Sequence, residues 1–432
     1  MDKTDIEANA FNPSYQHFLL ELLNINTVSP METGQSSELW QANRRYQALA
    51  QSIGFETVSF AAPDPEALIT EDTPQSILQR AQEMGDDFYA QQANLLLQLG
   101  TSQAHNKKLV FNFHMDTVAP HLPVVVQNDL IKGRGVADAK GLGVAILAGI
   151  EKALKLRPQI RQQLCIQIQS VCGEEGGAMG FYGSRALASG SGYLNIIAEP
   201  TNGRYLDQST SSMTAKITVD GESSTDDAPA RGINATVILG AMAAFLAQKL
   251  DNPITALGAK MCIAGLHTGM LHNRVYGSGQ LMLNFAYRSL EVAMQIEDLL
   301  ESAFTAAKTV IADDLKNSRF FARSAANLDR VCSLQWTKRR LPVLNNRHQA
   351  MESVLQSAGI AREEDSGKAF TCDAMWFQQD NCYSVVFGPG DLGLNGAHTD
   401  NEFLPLSALT EYSEQIAGIV LAFHDNNKED VQ

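Results

Sequence analysis

Apolar residues recur at helical spacing over 15–23, while 94–99 and 109–113 are near-continuous apolar runs of strand length. The pattern then predicts a helix over 143–154 and buried strands over 164–171 and 194–198. Helices and strands alternating in this way make an α/β layered sheet with helices on its faces. Residues 63–92 interrupt the alternation with an acidic stretch containing Asp64, Glu66, Glu71, Asp72, Glu83, Asp86 and Asp87, expected to be a surface insertion with a short helix.

From about Met213 the period changes. Strands at 216–219, 279–288 and 331–337, separated by helices over 234–248 and 296–311, have the order of a small α+β domain. Beyond Leu341 the α/β pattern resumes, with a helix at 351–358, a strand at 383–387 and a last helix at 409–423. The expected division is a larger domain made of two segments, 1–209 and 340–432, interrupted by an inserted domain at 210–339. No internal repeat or low-complexity tract is visible.

A length of 432 residues fits that division, at roughly 150 residues per domain. The formal net charge of -15 would repel phosphate backbones and anionic lipid headgroups, so neither nucleic acid nor a membrane surface is expected as a partner. The first ten residues hold no apolar signal core, and the longest apolar stretch, 237–247, is far short of the roughly 20 residues that span a bilayer. A soluble cytoplasmic protein is expected. Six cysteines without a Cys-x-x-Cys pairing fit free thiols in that compartment.

Polar groups follow several apolar runs directly. His114-Met115-Asp116 follows LVFNF, Glu174-Glu175 follows the strand ending at Val171, Glu199-Pro200-Thr201 follows LNIIA, and His398 follows VVFGPGDLGLNGA. In open α/β sheets ligands bind at the carboxyl ends of the strands, so these acids and imidazoles gather at one sheet edge. Buried carboxylates without partners cost several kcal/mol each, and a pair of metal ions is the simplest compensation. Asp138 adds a further acid in Gly133-Arg134-Gly135-Val136-Ala137-Asp138-Ala139-Lys140-Gly141. That loop is no Walker phosphate cradle, because Lys140 precedes the last glycine and neither Ser nor Thr follows. Gly388-Pro389-Gly390-Asp391-Leu392-Gly393 has dinucleotide-site spacing, but the residues up to Asn401 read as loop where that site needs a helix.

HMDTV at 114–118, GRGVADAKG at 133–141, Glu174-Glu175, AEPT at 198–201 and AHTDNEF at 397–403 together resemble, in order, the metal-site motifs of the M20 metallopeptidase family. That group includes acetylornithine deacetylase, succinyl-diaminopimelate desuccinylase, aminoacylases and glutamate carboxypeptidase. The resemblance implies a zinc-peptidase-like α/β catalytic domain, with a mixed sheet and helices on both faces, and an inserted α+β lid through which the chain forms a homodimer. It implies two divalent ions, zinc or in its place cobalt or manganese. Asp138 would bridge them, with His114 and Glu199 on one ion and Glu175 and His398 on the other. Glu174 would be the general base and Asp116 the carboxylate that orients His114. The substrate implied is an N-acyl amino acid or a small dipeptide-like amide.

The match departs from the family in the inserted domain. Thr225 stands where a histidine normally stabilises the oxyanion, and a neutral hydroxyl is a weaker donor to developing negative charge. Either another group, His267 or His272, substitutes, or the chain is a non-hydrolytic relative that binds a ligand or forms or rearranges an amide. Asn273 and Arg288 resemble positions that hold the substrate's backbone and carboxylate, for which a guanidinium is a bidentate clamp. Thr371-Cys372-Asp373-Ala374 resembles a substrate-facing turn.

Overall fold

The computed structural model describes residues 9–429, so most of the N-terminal stretch read as leader-free lies outside the described residues. The chain forms two compact units. The larger takes in the chain up to Glu71, Ser76–Ser209 and the chain from Val343 onwards; the smaller takes in Asp72–Gln75 and Thr210–Pro342.

The larger unit is built on a six-stranded mixed sheet in the order Glu56–Ala61, Asn94–Leu99, Cys165–Val171, Lys108–His114, Leu194–Ile197 and Tyr383–Val386. The last four run parallel, and the first two pair antiparallel at one side. Parallel strands are covered on both faces, so even their polar residues Asn112, Gln167, Gln169, Asn195 and Ser384 are buried. Every residue of Cys165–Val171, Leu194–Ile197 and Tyr383–Val386 is buried. The edge strand Glu56–Ala61 is half exposed along its length and has no buried residue. Helix Lys140–Leu156, with nearly all its residues buried, lies along helix Leu406–Glu429.

The acidic insertion holds three short helices rather than one, Pro65–Leu68, Gln75–Met84 and Asp86–Ala90. Its charges Asp64, Glu66, Glu71, Asp86 and Asp87 are exposed, while Ile77 and Phe88 are buried against Met31, Ala178, Phe181 and Tyr182. An acidic outside thus hides an apolar underside that braces the segment after Glu175.

The smaller unit is a four-stranded antiparallel sheet in the order Lys260–His267, Ser278–Tyr287, Ser211–Asp220 and Cys332–Lys338. Helices Ala235–Ala256 and Leu290–Leu315 supply its buried layer. The strand Lys260–His267 is an addition to the sequence-based order. It is an edge strand whose residues alternate between exposed and half-buried and none of which is buried, so it leaves no buried apolar run in the sequence. Among the described residues, no helix is long and apolar enough to cross a membrane. All six cysteines are free thiols.

Candidate metal centre

Four strand or helix ends in the larger unit deliver acids and an imidazole to one place. His114 is the last residue of Lys108–His114, Glu174 and Glu175 follow Cys165–Val171, Glu199 follows Leu194–Ile197, and Asp138 precedes helix Lys140–Leu156, with Ala139 between as its N-cap. His398 comes from the loop after Tyr383–Val386, with φ +63°, a left-handed conformation uncommon outside glycine. Turn bonds brace that loop, with Asp391 Oδ1 accepting from the backbone N–H of Gly393 and of Leu394. No helix begins there, in keeping with the loop read from sequence.

Asp138 stands between the two imidazoles. Its Oδ1 lies 2.8 Å from His114 Nε2 and its Oδ2 3.1 Å from His398 Nε2. Glu199 Oε1 is 3.8 Å from His114 Nε2, and Glu175 Oε2 is 3.4 Å from His398 Nε2. Two groups of potential metal-ion donors therefore share one carboxylate: His114, Asp138 and Glu199, and Asp138, Glu175 and His398. Glu174 approaches His114 and Glu175 in a third grouping. Each set mixes imidazole nitrogen with carboxylate oxygen, a donor chemistry suited to zinc and its neighbours.

The electrostatics record how crowded this cluster is. Burial, with the charge of Glu175 next, pushes the Glu174 carboxyl well above the usual range. Burial and the charge of Asp138 do the same to Glu199 and carry Glu175 up to about 7. Burial also opposes charge on Asp138, but bonds from both imidazoles hold that carboxyl below its usual range. Bonds to Asp138 and Glu175 raise His398 to about 10. In the metal-free chain these acids need cations beside them, and protonated imidazoles provide them.

The Asp116 carboxylate lies beside His114 and makes its closest bonds elsewhere. His114 Nδ1 pairs with the backbone oxygen of Asp116 at 2.9 Å, which fixes the ring, while the Asp116 carboxylate is 3.8 Å away. That carboxylate, fully buried, instead accepts from the backbone N–H of Glu174 at 3.3 Å and of Glu175 at 3.2 Å. It thus holds the two glutamates, and the ring through its main chain.

Sequence reasoning passed over two further carboxylates, or left them vague. Glu402 accepts from the backbone of the Asp138 loop and from Arg134, whose guanidinium is equally buried. Asp373 is buried, with Oδ2 accepting from Ser184 Oγ at 2.5 Å. Their signal would have been an acid in a segment too buried for solvent, and burial cannot be read from a loop. Lys140 is also fully buried, its Nζ donating to the backbone oxygen of Ile25 at 3.1 Å, and burial lowers its pKa to about 7.

In the smaller unit, Thr225 lies in a two-residue strand paired with Arg274, and with Asn273 it lines a shallow pocket of about 420 Å³. Arg288 sits at the opposite end of Ser278–Tyr287, roughly 30 Å away at about 3.3 Å per strand residue. The three substrate candidates therefore split into a pair and a distant single residue within one copy of this unit. His267 and His272 are both exposed.

Residues 110–422, well over half of the chain, match the family described as Peptidase family M20/M25/M40. The chain belongs to the M20 family. Its two-unit α/β architecture is that of the family. N-formyl-4-amino-5-aminomethyl-2-methylpyrimidine deformylase of Halalkalibacterium halodurans is 31% identical over 148 residues, 31% of this chain and 33% of that protein. The chain thus spans about a third of the length of the curated relative it matches. Among solved structures, the di-peptidase Dug1p from Saccharomyces cerevisiae superposes with a TM-score of 0.66 at 13% identity, covering 98% of both chains. The YXEP protein of Bacillus subtilis, described as a dinuclear metal binding peptidase from M20 family, superposes with a TM-score of 0.57 at 12% identity, covering 98% of this chain and 99% of the other. At such low identities the two structures establish a shared M20 fold.

Proposed function

We propose that this M20 enzyme uses two divalent ions, zinc or in its place cobalt or manganese, to hydrolyse the amide of an N-acyl amino acid or a small dipeptide-like molecule. The observation that carries this reading is the pair of donor groups sharing Asp138. One ion would be held by His114, Asp138 and Glu199, the other by Asp138, Glu175 and His398. When bound, the ions supply Lewis acidity for the scissile carbonyl and acidify the attacking water. Glu174 is the acid left outside both groups. Its carboxylate takes the proton from that water and returns it to the leaving amine, the work of a general base that becomes a general acid. Asp116, bonded to the backbone of Glu174 and Glu175, keeps that carboxylate aimed.

The likeness to a deformylase supports a short acyl group. Arg288, Asn273 and Thr225 are proposed substrate contacts, the first for a carboxylate. Because Arg288 follows one end of Ser278–Tyr287 and the Asn273–Thr225 pair lies beyond its other end, a small substrate that touches both needs the pair from a second copy, which supports a homodimer. The open edge strand Lys260–His267 supports the same reading, since unpaired strand edges invite pairing with another chain. Free thiols support a reducing compartment, the cytoplasm.

A screen of N-acetyl, N-succinyl and dipeptide substrates with added zinc, cobalt or manganese is expected to give turnover that a chelator abolishes. Glu174→Gln is expected to keep both ions and lose about 100- to 10,000-fold in turnover. A fully active Glu174→Gln enzyme would remove Glu174 from its role. Uptake of less than one equivalent of metal by intact protein would favour the non-hydrolytic reading that Thr225 suggests.

A further inference from the structure

Asp138 lies in a loop that must satisfy its own backbone donors, because 133–138 belongs to no helix or strand. Those donors converge on one side chain. Glu402 Oε1 accepts from the N–H of Gly135 at 3.0 Å, of Ala137 at 3.0 Å and of Asp138 itself at 3.3 Å. Its Oε2 accepts from Arg134 Nη1 at 2.7 Å, and its backbone oxygen from Gly133 N at 3.2 Å. Both Glu402 and Arg134 are 1% exposed, so water cannot replace either partner.

Glu402 also lies four residues beyond His398, on the loop that presents that imidazole. Asn395 and Phe403 close this loop on itself, Phe403 N donating to Asn395 O at 3.0 Å and Asn395 Nδ2 to Phe403 O at 3.1 Å. A short antiparallel ladder pairs Phe403–Pro405 with Leu130–Lys132, and beyond it the Glu402 carboxylate is what joins the 133–138 loop, and so Asp138, to the loop that carries His398. His114 and Glu199 do not depend on it, because the parallel ladder holds them: His114 ends a strand, and Ala198 N, next to Glu199, donates to Asn112 O at 2.8 Å.

We propose that Glu402 is a positioning residue that locks the Asp138 loop to the His398 loop, and so governs the ion held by Asp138, Glu175 and His398 more than the ion held by His114, Asp138 and Glu199. The proposal rests on the two-ion reading above. Physically, loss of the carboxylate leaves several buried N–H groups without an acceptor and a buried guanidinium without its counter-charge, so the loop must rearrange to find others. Asp138 moves with its own backbone, whereas the sheet-borne ligands stay.

The test is titration of zinc into the metal-stripped full-length protein by calorimetry, with cobalt as a spectroscopic probe of ligand geometry. Glu402→Ala, Glu402→Gln and Glu402→Asp are compared with the wild type, and the melting of each metal-free protein is recorded. Glu402→Ala is expected to weaken the second ion by about 10- to 100-fold, the usual effect of removing a partner behind a metal ligand, while the first, which shares Asp138 but keeps two sheet-borne ligands, weakens by less. The cobalt absorption of the second site should change more than that of the first, which shares Asp138 but keeps His114 and Glu199 in place. Glu402→Gln, which keeps an acceptor oxygen but not the charge, should lose less. If Glu402→Ala does not fold, Glu402→Asp, which keeps the charge but pulls it back by one methylene, is expected to show the same selective loss.

Wild-type affinity at both sites in the folded variant, or equal weakening at both, overturns the proposal. A wild-type chain that takes up only one ion counts against the two-ion reading instead. The clamp then still requires that single site to weaken in the variant, and an unchanged site overturns it.

Discussion

Asp373 is a carboxylate with room for one partner and not two. Ser184 Oγ serves its Oδ2, but its Oδ1 has no hydrogen-bond partner and faces Gly180, where a Cβ would come within 2.0 Å of it. Gly180, at φ +68°, meets both demands at once, since no other residue fits that conformation and that gap. Burial raises the Asp373 carboxyl to about 7, against roughly 4 in an unfolded chain. The native state therefore binds a proton that the unfolded state releases between those values, and its stability falls as pH rises from about 4 through 7. Asp373→Asn, of the same shape and always neutral, is expected to escape this loss in the metal-free protein. Urea unfolding should show the variant gaining on the wild type by about 1–3 kcal/mol between pH 5 and pH 8. A constant difference across that range would mean that Asp373 stays ionised in the fold.

Helix Lys140–Leu156 carries Asp138 at its front end and is held in place by what it lacks. Gly143 lies against the Phe113 ring, where a Cβ would approach to 2.4 Å, and its carbonyl accepts from Tyr46 Oη at 2.8 Å. Gly149 lies against helix Leu406–Glu429, with the Ser413 carbonyl 2.4 Å and Ile416 Cβ 2.7 Å from where its own Cβ would be. Alanine is the better helix former by about 1 kcal/mol, so propensity alone favours replacing these glycines. Packing opposes it, because a single added methyl must push the helix backbones away from each other. Gly149→Ala is expected to destabilise the protein by about 1–3 kcal/mol, read from the denaturation midpoint. A neutral or stabilising effect would show that the two helices can separate freely. The insertion helices follow the same logic, since Ile77 and Phe88 brace the segment that carries Glu174 and Glu175.

The net charge of the whole chain is -15, and its buried acids at the centre add to a burden that the fold bears even before any ligand arrives. Glu174, Glu175 and Glu199 are all driven upward by burial and by one another or Asp138. Cations that bind the native cluster and not the unfolded chain stabilise the fold by mass action, about 2.7 kcal/mol at a hundredfold excess over the dissociation constant. The melting temperature is therefore expected to climb with zinc concentration and to drop when a chelator is added. Calorimetric scans at several zinc concentrations check this, and a midpoint indifferent to metal would argue against ions at the cluster.

Much of this protein was legible along the chain. Parallel strands buried on both faces leave short, largely apolar segments, and the acids and imidazoles of the site stand after them, so the sheet and the residues at its edge could be read together. The edge strands Glu56–Ala61 and Lys260–His267 left no such trace, because neither has a buried residue. The same holds for Glu402, Asp373 and the backbone contact that fixes the His114 ring. Periodicity reports the burial of a continuous segment by its own neighbours. A hydrogen bond between Glu402 and a loop more than 260 residues earlier depends on where the fold brings two irregular segments, and no local pattern encodes that distance.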